Sequence, residues 1–197
     1  MKRAVIALAI LATLALPLFA AAGDSSVHDP DDTKGRLDIR RVDFEGHKRP
    51  RWTVFTWRRW HSRDIFDQGY ILVRLDSFGG TRFDYYALIR SVGHGLTAGL
   101  FRDPRHHPDT RLSGLKVWRP DRHSIKLRLR LSKLHFGGSR SFYRWAVETI
   151  FSNHNCPRTC FDSAPGHGAI KEPRPGVTPT STPTPTPSTT PTPTPST

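Results

Sequence analysis

Between Ile125 and Leu131 apolar and basic residues alternate without a miss, in the order Ile125-Lys126-Leu127-Arg128-Leu129-Arg130-Leu131. An extended chain turns successive side chains to opposite faces. This run therefore predicts a half-buried strand with Ile125, Leu127, Leu129 and Leu131 inward and a basic outer face. Residues 37–44, 52–57, 70–78, 82–91, 95–102, 115–119 and 142–151 read the same way. In the last of these, Tyr143, Trp145, Val147 and Thr149 share one face while Arg144 and Glu148 share the other, as suits aromatic and β-branched residues in a strand. Gly79-Gly80, Gly93-His94-Gly95, Asp103-Pro104, Pro120-Asp121 and Gly137-Gly138 separate the segments as turns. Residues 58–66 and 132–135 are expected to form short helical turns. Eight short strands with tight turns predict an all-β fold, an antiparallel β-sandwich of jelly-roll-like form.

Both ends depart from this pattern. Residues 1–22 join Lys2 and Arg3 to an apolar run ending at Phe19 and finish on Ala20-Ala21-Ala22, the form of a secretory signal peptide. The run is short for a bilayer core about 30 Å thick, so the expectation is cleavage near Ala22 with no transmembrane anchor afterwards. From Pro173 to Thr197 the chain holds nine Pro, ten Thr and three Ser. Proline removes amide donors and forces its predecessor toward extended geometry, so this stretch is expected to be a disordered, polyproline II-like tail reaching about 75 Å. A glycosylated spacer and an inert solvated tail are the two readings of that composition. The folding unit is residues 23–172.

That unit carries 27 basic and 17 acidic residues. Such an excess attracts polyanions, although it also serves as a solubilising surface. Export makes intracellular nucleic acid a poor partner and leaves polysaccharide or anionic cell-wall polymer as the expected one. The protein is expected to be secreted and extracellular, or cell-wall associated. Cys156 and Cys160 lie four residues apart, and an oxidising compartment favours a disulfide between them. His154 and His167 flank the pair, which keeps zinc as a minor alternative of unfamiliar spacing.

The run Tyr70 to Asp76, the segment Phe83-Asp84-Tyr85-Tyr86 and the strand Ile125 to Leu131 closing on Ser132-Lys133-Leu134 resemble the extracellular β-sandwiches of DOMON domains and family 9 carbohydrate-binding modules. Leu37 to Arg40 and Cys156 to Pro165 are also similar to the start and end of uncharacterised secreted proteins of actinobacteria. The resemblance covers about 130 residues and implies the architecture more than a ligand. Some DOMON relatives bind haem through Met and His, but Met1 leaves with the signal peptide, so that ligation has no methionine here.

Aromatic rings bind sugars by covering the apolar face of a pyranose while polar neighbours take its hydroxyls. Leu115 and Val117 claim the core in their segment, which turns Trp118 outward beside Arg119. Trp57 and Trp60 sit among cations in an irregular stretch. These three tryptophans, Arg119, and the outward Lys126, Arg128 and Arg130 are the candidate ligand contacts; capping of the core by the tryptophans and edge protection by the charges are the alternatives. Trp52 and Trp145 are read as core.

No cofactor is required by any motif. Asp76 and Asp84 bracket Gly79-Gly80 and could offer oxygens to calcium or cap the turn. His106-His107 with Asp103 or Asp109 has only generic metal spacing. Carboxylate pairs for hydrolysis would have to come from Asp76, Asp84, Asp121 or Glu148, and no catalytic signature accompanies them. The expected function is a non-catalytic binding module for glycan or anionic envelope polymer. A structural or protein-interaction module and, third, a glycan-active hydrolase are the competing readings.

Overall fold

The computed structural model describes residues 24–46, 49–61, 69–92, 95–104, 106–138, 140–153 and 155–177; the expected signal peptide and nearly all of the tail lie outside them. Among these residues eleven strands form: β1 (Ser25–His28), β2 (Ile39–Glu45), β3 (Arg51–Thr56), β4 (Gly69–Asp76), β5 (Tyr85–Val92), β6 (Gly95–Arg102), β7 (Thr110–Trp118), β8 (Ser124–Arg128), β9 (Phe142–Asn153), β10 (Cys156–Ala164) and β11 (Ile170–Pro173). The eight expected segments all become strands. β1, β10 and β11 are additions whose polar or proline-containing sequences show no alternation. A single 3-10 turn at Leu131–Lys133 takes the place of the helical turn expected over 132–135. Residues 58–61 are irregular, and the remainder of the segment 58–66 lies outside the described residues.

Every pairing is antiparallel, and one hydrogen-bonded path runs β1-β2-β3-β8-β7-β6-β5-β4-β9-β10, with β11 continuing beside β10 along the outer side of β9. The sheet curls into a half-barrel. Its curl brings the β2–β3 arm over β9, so that Phe44, Trp52 and Trp145 meet, with ring centroids 5.1 Å apart for Phe44 and Trp52 and 5.6 Å for Phe44 and Trp145. Tyr143, Trp145, Val147 and Thr149 are all buried, and so are Ile125, Leu127, Leu129 and Leu131, as period two requires.

The two extremities of the path are joined by side chains. Ser25 Oγ donates to Glu172 Oε1 at 2.6 Å, Thr149 Oγ1 to the Leu37 carbonyl at 2.8 Å, and the Ile39 amide to Asp162 Oδ2 at 2.5 Å. Gly35 permits this approach: at φ +122° a Cβ would stand 2.0 Å from the Phe151 ring. A second constraint is the Gly79-Gly80 turn. Buried Asp76 accepts the Gly79 amide at 2.5 Å and the Arg144 Nε at 2.7 Å, while Asp84 Oδ2 accepts the Ser77 and Phe78 amides, each at 2.9 Å.

Cys156 and Cys160 are disulfide-bonded within β10, across a register shift in its pairing with β9. So small a ring fastens a local irregularity. Trp145→Ala should lower the free energy of unfolding by about 3–5 kcal/mol, whereas reducing the disulfide should cost about 2 kcal/mol; urea denaturation of both samples measures the contrast.

Candidate functional site

The sequence-predicted contacts divide into three places. Trp60 is buried at 1% exposure, and the Arg119 guanidinium lies over its ring at 4.1 Å. Its expected role as a ligand platform is corrected here: the ring packs inward because Arg119 covers it and bonds its carbonyl. Trp57 stays exposed, with Arg40 at 6.0 Å from its ring. Trp118 is half-buried beside Lys116, whose Nζ is 5.6 Å from the ring.

Lys126 and Arg128 emerge on the outer side of β8, and Arg130 follows two residues past its end. That strand lies between β3 and β7, so its charges guard no sheet edge. Register sets Arg51, Arg128 and Lys116 side by side across three strands. Like charges in such a row repel. Glu45 relieves part of it, 3.3 Å from Arg51 and 3.9 Å from Lys126. Further along, Lys116, Arg128, Arg130 and Lys133 line a cavity of about 200 Å³ to which no carboxylate among the described residues contributes.

A larger cavity, about 430 Å³, lies on the outer face of β4 and β5. Each strand carries the same five-residue pattern, Tyr70-x-Leu72-x-Arg74 and Tyr86-x-Leu88-x-Arg90. Antiparallel pairing sets Leu72 opposite Leu88 and Arg74 opposite Tyr86. The result is two aromatic–aliphatic–cationic rows running head to tail. The Tyr86 ring stacks on Phe101 at 5.2 Å and its hydroxyl donates to Asp109 Oδ2 at 2.6 Å. Burial and that carboxylate push the Tyr86 phenol up to about 12. Arg74 also pairs with Glu148 at 2.7 Å and lies over Phe83 at 5.9 Å. The sequence reading missed this face, although the repeated Tyr-x-Leu-x-Arg could have revealed it.

The carboxylates considered for calcium or hydrolysis have structural work. Asp76 and Asp84 hold the Gly79 turn and Arg144, Asp121 caps the His123 amide at 2.7 Å, and Glu148 holds Arg74. His106 and His107 are exposed in a turn, and His154 lies outside the described residues.

A different acidic group gathers where the sheet's extremities meet. Asp29 follows β1, Asp38 precedes β2, and Asp162 belongs to β10. Burial, then the neighbouring Asp162 charge, raises the Asp29 carboxyl to about 7. Asp38 likewise rises to about 7, chiefly through burial, against the opposing pull of Arg58. Burial also raises Asp162, Asp84 and Glu172.

A carboxyl whose folded pKa exceeds its unfolded one favours the fold while protonated. That contribution is complete below about pH 4 and is lost as pH rises toward about 7. The exposed Asp31 and Asp121 shift downward and oppose the trend weakly. In chelating buffer the melting temperature should therefore fall between pH 4 and pH 7.5; a rise, measured by circular dichroism, would contradict the burial assigned to these acids. No protein family, curated protein or solved structure matches the chain.

Proposed function

We propose that this protein is a secreted, non-catalytic binding module for an acidic glycan of the cell envelope. The observation that carries the reading is the head-to-tail Tyr-Leu-Arg arrangement on β4 and β5, with its cavity of about 430 Å³. Tyrosine rings there offer flat apolar surface to a sugar, and Arg90 offers planar donors to carboxylate or phosphate beside Arg74, which Glu148 holds in place. Burial of the aromatic core between the two arms of the half-barrel supports the sandwich form of the fold. The excess of basic residues supports an anionic polymer over a neutral one.

The cation-lined cavity of Lys116, Arg128, Arg130 and Lys133 favours a second reading, in which a phosphate-rich polymer binds the β7–β8 face through charge alone. The two readings predict different variants. Sedimentation with isolated cell-wall material, intact or stripped of anionic polymer, should show binding that weakens with salt. Tyr70→Ala and Arg90→Ala should each weaken it about tenfold if the β4–β5 cavity is the site. Loss in Arg128→Glu with full binding in the first two variants would move the site to β8. Absence of retention on every fraction at low salt would overturn both readings in favour of a protein-interaction module.

A further inference from the structure

Where the extremities of the sheet meet, four carboxylates stand close together. Asp29, Asp32, Asp38 and Asp162 each bring a carboxylate oxygen within 4.8 Å of the others. Asp162 has its two oxygens occupied by the Ile39 amide at 2.5 Å and the Ser163 amide at 2.8 Å. Arg58 bonds Asp38 Oδ2 through Nη1 and donates from Nη2 to Asp31 Oδ1 at 2.7 Å. Arg58 is thus shared between two acids.

Two oxygens have no hydrogen-bond partner among the described residues, Asp38 Oδ1 and Asp29 Oδ2. Both are buried, in residues exposed by 0% and 7% respectively. Buried acceptors without donors are costly, and two of them in one acidic pocket call for a positive partner. A hard cation with oxygens at about 2.3–2.6 Å places ligands on opposite sides about 5 Å apart, which the 4.8 Å spread accommodates. Asp29, Asp32 and Asp162 also line a cavity of about 660 Å³, giving an ion a path and its remaining positions water.

We propose that Asp29, Asp32, Asp38 and Asp162 bind one divalent cation of the calcium class, which ties the β1–β2 connection to β10. Four carboxylate oxygens within 4.8 Å of one another suit calcium's high oxygen count better than magnesium, which keeps several of its waters. Neither the glycan reading nor its failure bears on this site. Asp76 and Asp84, considered earlier for calcium, are not involved.

The test is calorimetric titration of the chelator-treated full-length chain with calcium chloride at pH 7.5, alongside thermal melts. One calcium per chain is expected, with a melting temperature raised by about 5 °C or more at a hundredfold excess over Kd. Asp29→Asn and Asp38→Asn should each weaken binding at least tenfold while leaving the calcium-free melting temperature unchanged or higher, because each removes repulsion. Absence of calcium binding up to 10 mM by the folded wild-type protein would overturn the proposal, even if a variant failed to fold. So would wild-type affinity retained in both folded variants, since the ion would then lie elsewhere.

Discussion

The arrangement depends on burying one aromatic cluster from two directions. Phe44 and Trp52 project from one arm of the sheet and Trp145 from the other, and they meet only because the sheet curls. A flat sheet of these strands would expose an apolar face to water, a loss far larger than the few kcal/mol separating folded from unfolded chains. Curling also sets the fate of the outer faces. With the core on the inside, Tyr70, Arg74, Tyr86 and Arg90 on one arm and Lys116, Arg128 and Arg130 on another are left for solvent or ligand.

The polar junction between the sheet's extremities follows from the same curl. The strands that approach there are not neighbours in the hydrogen-bonded path, and buried backbone groups at the junction still require partners. Side chains supply them: Asp162 takes the Ile39 amide, and Thr149 donates to the Leu37 carbonyl. Using acids for this purpose concentrates negative charge in a poorly solvated place. In a chain with an overall basic excess, that concentration stands out as a local inversion of sign.

How much of this could be read beforehand depended on whether the information was local. Ile125 to Leu131 announced its strand because each side chain's environment follows from its neighbours by period two, and the turn at Gly79-Gly80 followed from glycine alone. β10 was not visible because Cys156-Pro157-Arg158-Thr159-Cys160 lacks alternation; pairing with β9 makes it extended. Trp60 was read outward from its sequence neighbours Arg58 and Arg59, yet Arg119, 59 residues away, covers its ring. Arg128 and Arg130 were placed correctly on an outer face, but their neighbour Lys116 comes from another strand. Asp29, Asp38 and Asp162 gave no signal, since over a hundred residues separate the first from the last and only the curl unites them.

The hydrogen bond from Ser25 to Glu172 means that the first and last strands of the described unit lie within one side chain's reach of each other. The chain thus comes in and goes out through a single doorway. A neighbouring protein interrupted by this unit would need no spacer to bridge the break, and anything attached before β1 or after β11 would hang from the same corner. The β4–β5 cavity is formed by other strands, so tethering at that corner leaves its tyrosines and arginines outside the attachment point.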